Sequence, residues 1–124
     1  IMSSDWSSDV CSSDLVRNLL SDLPKDLPEE RFDDLLTSPH FRVERILSRG
    51  HASPDGFWYD QETHEWVLVL QGSAELSIEG VDGVVQMTAG DSLLIPARTR
   101  HRVEWTDPDG TTVWLAVHYV LESL

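Results

Sequence analysis

Two stretches decide the fold of this chain: EWVLVLQG at residues 65–72 and GDSLLIPARTRH at residues 90–101. The first is an apolar run that begins at Glu65 and ends on Gly72. The second opens on a glycine, has a proline six residues later and ends on His101. Aliphatic and β-branched residues bounded by glycine or proline are typical of short strands between tight turns.

Segments of the same character lie on both sides of these stretches, and turn residues such as Gly72-Ser73 and Pro108-Asp109-Gly110 separate nearly all of them. We predict strands near 41–49, 56–60, 64–71, 74–79, 84–88, 92–95, 101–106 and 111–121. About eight short strands in succession favour an all-β, antiparallel sandwich or barrel over residues 41–124.

A different pattern precedes the strands, in a lead-in segment over residues 16–40. Pro28 suits the first position of a helix, and Ser38-Pro39 would end that helix. The apolar residues between them recur at helical spacing: Phe32, Leu35 and Leu36. The pattern predicts a short N-terminal helix whose apolar stripe packs on the barrel.

The first fifteen residues have a different character. Ser-Ser-Asp occurs three times within residues 3–14, with no helical or strand periodicity. The DNA string GAC GTG TGC TCT TCC GAT CT, a constant adapter of short-read sequencing libraries, encodes residues 9–15. We therefore expect residues 1–15 to be a non-native, adapter-derived stretch or a disordered tail, and exclude them from fold reasoning.

Length and charge limit the function classes. A chain of 124 residues holds a single domain. Its net charge of −13 repels nucleic acid and anionic membrane surfaces, and no apolar run is long enough to span a bilayer. Cys11 is the single cysteine, so no internal disulfide forms, and the sequence predicts a cytoplasmic protein.

The spacing of the two stretches resembles the paired motifs of the cupin superfamily. Glu65 and Gly72 match the first motif, and the second motif is matched from its glycine through Pro96 to His101. The resemblance covers roughly residues 41–120 and implies a single-domain, RmlC-like jelly-roll β-barrel with an internal pocket.

Metal-binding cupins carry a His-x-His pair and a Glu in the first motif and a further His in the second. In this chain Glu65 matches that Glu and His101 matches the second-motif His. Tyr59 and Gln61 stand where the two histidines belong, so the first metal motif is degenerate. The second motif departs as well, with Arg98 in place of its usual second glycine.

Strand alternation predicts which side chains converge inside the barrel. Glu65 shares a face with Val67, and His101 shares one with Trp105. The predicted pocket residues are Tyr59, Gln61, Glu65, His101 and Trp105. Carboxylate and imidazole are good ligands for one divalent transition metal such as Fe, Mn, Ni, Cu or Zn, and Gln61 is the third candidate ligand beside Glu65 and His101. A metal-free cavity is the open alternative.

Two functions follow from this site. In the first, the barrel binds a small polar molecule, with or without the divalent metal. In the second, it is a metal-dependent cupin enzyme of the dioxygenase, isomerase or decarboxylase type. Fold alone does not separate them, because function depends on the site rather than on the architecture.

The other histidines and the arginine cluster have simpler interpretations. His118, in the last strand, is predicted to be structural, and His64 reaches the pocket only if a bulge reverses its facing. The basic cluster Arg98, Arg100 and Arg102 either attracts an anionic substrate or balances nearby acids. On the other face of the Glu65 strand, Trp66, Leu68 and Leu70 predict a homodimer interface.

Overall fold

A computed structural model describes residues 15–121 of the chain, so most of the interpreted N-terminal stretch and Cys11 lie outside the described residues. The described part is all-β, with no α-helix. Its eight strands are β1 (Arg31–Thr37), β2 (Phe41–Ser48), β3 (His64–Gln71), β4 (Ser73–Ile78), β5 (Val85–Thr88), β6 (Ser92–Ile95), β7 (His101–Thr106) and β8 (Thr112–Tyr119). Within residues 15–121, no helix has the length and hydropathy that a membrane span requires.

The strands form two antiparallel sheets. One sheet has five strands in the order β1-β2-β8-β3-β6, and the other has three in the order β5-β4-β7. Between them lies an apolar core made of Val67, Val69, Ala74, Leu76, Met87, Ile95 and Trp114. This arrangement of two facing sheets is the predicted jelly roll.

The predicted N-terminal helix is wrong, because residues 31–37 form strand β1 on the edge of the five-stranded sheet. β1 pairs with β2, and a bulge interrupts the pairing between Asp34 and Leu36. A bulge shifts side-chain facing by one residue, so it breaks the alternation that would have indicated a strand. Pairing with β2 overrides the local helical spacing.

The strand predicted near residues 56–60 is also absent as a named strand. That segment instead forms an isolated antiparallel bridge between Tyr59 and His101, with hydrogen bonds in both directions at 2.7 and 3.1 Å. The bridge is enough to bring Tyr59 beside His101. The loop that carries Tyr59 and Gln61 is therefore tied to the start of β7.

Gly72 marks the point where the chain leaves one sheet for the other, between β3 and β4. Its φ is +92°, and a Cβ there would lie 2.5 Å from Thr112 Oγ1 and 2.7 Å from Thr112 Cα. Only glycine adopts this conformation and permits this close approach without strain. The glycine predicted from the first motif is therefore needed for the change of sheet.

Candidate functional site

A cavity of about 60 Å³ opens between the two sheets, several times the space that one buried water needs. Apolar side chains from the core form much of its wall. Its polar lining residues are Glu30, Glu44, Tyr59, Gln61, Glu65, His101 and His118. Phe32 of β1, 52% exposed, also lines it.

β3 carries Glu65 into this cavity by simple alternation. Glu65, Val67 and Val69 are all buried, and Glu65 retains only 8% exposure. This is the facing that the sequence predicts for β3. His64, on the opposite face, accepts a hydrogen bond from the Ala97 backbone N–H through Nδ1 at 3.1 Å and does not line the cavity.

His101 enters from the other sheet, at the first residue of β7, and is 5% exposed. Its Nδ1 lies 2.9 Å from the Thr99 carbonyl oxygen, so Nδ1 carries a proton and donates it. Its Nε2 then faces Glu65, with Nε2 and Oε1 3.4 Å apart. The Thr99 contact fixes the ring and directs Nε2 toward the carboxylate.

A positive charge is needed between His101 and Glu65. With Nδ1 protonated, a neutral imidazole presents a lone pair at Nε2, opposite an oxygen that also has lone pairs. Glu65 Oε1 is buried without a hydrogen-bond partner, since 3.4 Å is longer than an ordinary hydrogen bond. Either a proton on Nε2 or a bound cation removes this repulsion.

Electrostatics in the cavity support protonation of His101 when no cation is bound. Burial disfavours the imidazolium, but the Glu65 carboxylate and the Thr99 carbonyl outweigh burial and raise the pKa of His101 above its ordinary 6.5. Burial, together with the charges of Glu30, Glu65 and Glu44, raises the pKa of Tyr59 above 10.0. Tyr59 is thus a neutral phenol, a poor metal ligand.

The structure brings four of the five predicted pocket residues to this cavity: Tyr59, Gln61, Glu65 and His101. Tyr59 stacks on His101 with ring centroids 5.3 Å apart. Gln61 Oε1 is buried without a hydrogen-bond partner. The Gln61 backbone carbonyl accepts a 2.7 Å hydrogen bond from the Arg98 N–H, which anchors the loop.

Trp105 is the exception, and the prediction that it faces inward is wrong. It is 40% exposed and does not line the cavity. In the pairing of β4 with β7, Glu75 is opposite Trp105 while Leu76 is opposite Val103, so one residue of β7 is extra. That bulge turns Trp105 outward, because facing shifts by one beyond it.

Sequence reasoning missed the second histidine of the cavity. His118 of β8 is 4% exposed, and its Nε2 lies 2.8 Å from Oε1 of the buried Glu44 on β2. Its Cα partner across the sheet is Glu65. Alternation along β8, where Trp114, Ala116 and His118 are all buried, could have indicated that His118 faces inward. Its partner Glu44 could not be found in this way, because it lies 74 residues away in sequence.

The arginine cluster does not reach the cavity. Arg98 pairs with Asp60 at 3.5 Å and Glu62 at 3.0 Å. Arg100 lies over the Trp58 ring at 5.2 Å, and Arg102 donates to Glu104 and to backbone carbonyls of residues 53, 54 and 57. These arginines balance nearby acids and brace the 53–62 loop, as one of the two sequence interpretations proposed.

Glu65 and His101 are the two strong metal ligands that face each other in the cavity. Among residues 15–121, no three His, Cys, Asp or Glu side chains are grouped so that they could hold a metal ion. A third donor would have to come from a different residue type, and the unpartnered Gln61 Oε1 is such an oxygen.

The cupin-domain family model matches residues 47–118, more than half of the chain, and includes every strand from β3 to β7. The chain belongs to the cupin family. Within this cupin, the second-motif departure at Arg98 has a structural counterpart. Arg98 has φ +62°, the left-handed conformation that the usual glycine would adopt freely.

Solved structures agree with this assignment. A protein described as a putative mannose-6-phosphate isomerase from Ralstonia eutropha JMP134 is 48% identical, with 86% of this chain and 98% of that chain covered and a TM-score of 0.83. An RmlC-like cupin from Desulfovibrio desulfuricans is 21% identical, with 84% and 94% covered and a TM-score of 0.67. The second likeness shows the fold alone. No match is found among curated proteins.

Proposed function

We propose that this cupin binds a small polar molecule in the cavity between its sheets, through one divalent metal held by Glu65, His101 and Gln61. The observation that carries the proposal is the facing of His101 Nε2 and Glu65 Oε1 at 3.4 Å, with no hydrogen-bond partner for that oxygen. Both atoms are good ligands for Fe, Mn, Ni, Cu or Zn.

The spacing of the two ligand atoms fits such an ion. Two ligands about 2.1 Å from a tetrahedral metal lie about 3.4 Å apart. His101 donates its Nδ1–H to the Thr99 carbonyl. Metal-binding histidines are usually oriented by a hydrogen bond of this kind from the ring nitrogen that does not bind the metal. Gln61 Oε1 supplies a third, weaker oxygen, so two strong ligands and one amide support moderate affinity.

Each cavity residue has a separate part in binding. When bound, the metal supplies Lewis acidity toward an oxygen of the ligand. Tyr59, kept neutral by burial and by nearby carboxylates, offers a phenol hydroxyl to orient the ligand. The apolar walls formed by Val67, Ile95 and Trp114 exclude bulk water, which strengthens polar contacts inside.

An isomerase-type enzyme is the second candidate, among the dioxygenase, isomerase and decarboxylase types. The name of the 48% identical Ralstonia protein favours it. So does a buried His118–Glu44 pair beside the proposed metal site, since a histidine oriented by a carboxylate is suited to proton transfer. Metal-loaded protein incubated with reducing sugars in D₂O should then exchange carbon-bound hydrogen, and absence of exchange by NMR would count against isomerisation.

The binding proposal is tested by elemental analysis of protein purified without chelator or metal-affinity resin. We expect near-stoichiometric metal in the wild type and its loss in Glu65→Gln and in His101→Asn, which keeps a δ-nitrogen donor for Thr99 but removes Nε2. His64→Asn, outside the cavity, is the matched control and should keep the metal. Absence of metal after incubation with Fe, Mn, Ni, Cu and Zn would overturn the metal part of the proposal.

A further inference from the structure

Three buried side-chain atoms in the described part of the chain lack a hydrogen-bond partner: Gln61 Oε1, Glu65 Oε1 and His118 Nδ1. All three belong to residues that line the same cavity. Buried polar atoms in native proteins are nearly always paired, so orphans grouped around one space indicate what fills that space.

The hydrogen-bonding character of these atoms is the same. Gln61 Oε1 and Glu65 Oε1 are acceptors by chemistry. In the neutral ring, His118 Nδ1 is also an acceptor, because the Glu44 carboxylate accepts the Nε2–H at 2.8 Å and leaves the Nδ1 lone pair free. The cavity therefore presents three acceptors, and its occupant must bring donors.

The charges of the cavity limit the occupant further. Three carboxylates line it, those of Glu30, Glu44 and Glu65, and its described lining residues include no lysine or arginine. The Arg42 guanidinium has its Nη2 3.7 Å from Glu44 Oε1, but the Arg42 side chain is 44% exposed and does not line the cavity. The His101 imidazolium is paired with Glu65 and offsets only one of these three charges. An anion would therefore meet a net negative charge in a low-dielectric space.

We propose that the metal-free cavity selects ligands rich in hydrogen-bond donors, neutral polyols or cationic amines, with His118 Nδ1 as a ligand acceptor, and that it excludes phosphorylated and other anionic molecules. The proposal rests on the small-molecule binding proposed above but not on the metal. The proposed ligands differ from a sugar phosphate, the kind of molecule that the name of the 48% identical Ralstonia protein mentions.

The test compares three small probes of similar size and different charge, ethanolamine, ethylene glycol and glycolate, on chelator-treated protein. Long-range ¹H–¹⁵N NMR of the histidine rings reports on His118 directly. We expect the Nε2–H tautomer of His118 in the free protein, and a saturable Nδ1 shift with ethanolamine and ethylene glycol but not with glycolate. An Nδ1–H tautomer, a glycolate shift as strong as that of ethanolamine, or no shift with any probe would overturn the proposal.

Two variants of His118 separate ligand binding from folding. His118→Gln keeps an amide N–H near the Nε2 position for Glu44 and deletes the Nδ1 acceptor, so ethanolamine should bind about tenfold more weakly, the loss of one hydrogen bond. His118→Asn keeps an acceptor near the Nδ1 position and deletes the Glu44 contact, so it should retain more affinity if it folds. Unchanged ethanolamine binding in folded His118→Gln would contradict the assignment.

The metal test and this test fail separately. Protein that binds no metal but still prefers ethanolamine to glycolate would overturn the metal site and support the proposed ligand class. Stoichiometric metal at Glu65 and His101, together with a preference for glycolate after chelation, would support the metal site and overturn the proposed ligand class.

Discussion

Glu65 on β3 and His118 on β8 are directly opposed in the antiparallel register, so both side chains leave the five-stranded sheet on the face of the cavity. His118 in turn hydrogen-bonds Glu44 on β2. Three adjacent strands thus supply a continuous polar row, and His101 meets it from the opposite sheet. The site depends on the packing of both sheets.

Removal of Glu44 is expected to destabilise the fold. Glu44→Ala leaves the buried His118 Nε2–H without an acceptor, which costs about 1–3 kcal/mol of unfolding free energy. Glu44→Gln, which keeps an acceptor oxygen, should cost less. Urea denaturation measures both, and equal losses in the two variants would mean that this hydrogen bond is not the cause.

The pH dependence of stability in chelator-treated protein should reflect His101. Its folded pKa is raised above 6.5, so its contribution is fully present below pH 6.5 and is lost as pH rises through the folded pKa. The unfolding free energy should therefore fall as pH rises from 6.5 through the folded pKa of His101. His101→Asn should flatten this slope and His64→Asn should keep it; a wild-type profile that rises over this range would contradict the assignment.

Gly72→Ala should be strongly destabilising. A Cβ at this position would lie 2.7 Å from the Thr112 Cα, and the residue holds φ +92°. Overpacking against backbone and left-handed strain together predict a loss of about 2–4 kcal/mol. Gly80→Ala, with φ +85° and no atom within 4 Å, is the matched control and should lose only about 1 kcal/mol. Equal thermal shifts would exclude the steric explanation.

The ion pair between Asp33 and Arg45 should hold β1 on the sheet. Arg45 Nη2 lies 2.6 Å from Asp33 Oδ2, and its side chain is 8% exposed. Asp33→Ala leaves this buried charge unpaired and should cost about 3–5 kcal/mol. Removal of the exposed partner by Arg31→Ala should cost less than about 1 kcal/mol. Similar losses in both variants would show that burial of Arg45 is not the deciding factor.

A homodimer through the outer face of the five-stranded sheet remains a prediction. Leu94 on that face is 52% exposed and lies opposite the partly exposed Trp66 of β3. Light scattering should give twice the monomer mass at tens of micromolar, and Leu94→Glu should shift the protein toward monomer. A monomeric wild type at this concentration would exclude the interface.

Local sequence predicted the parts of the site that depend on one uninterrupted strand. Alternation in β3 placed Glu65 and Val67 inside, and the spacing of the two motifs brought Glu65 and His101 to one cavity. The prediction failed where an extra residue reverses facing. The bulge in β1 gave Phe32, Leu35 and Leu36 a helical spacing, and the bulge in β7 turned Trp105 outward.

By itself, the sequence determined the all-β class and the glycine at the change of sheet, because each depends on neighbours close in the chain. It indicated the pairing of Glu65 with His101 only through the resemblance of two separate motifs to a known family. Only the tertiary structure decided that His118 and Glu44 complete the cavity and that Arg98, Arg100 and Arg102 stay outside it. Those contacts join strands far apart in sequence, and their register is set by pairing and bulges across the whole sheet.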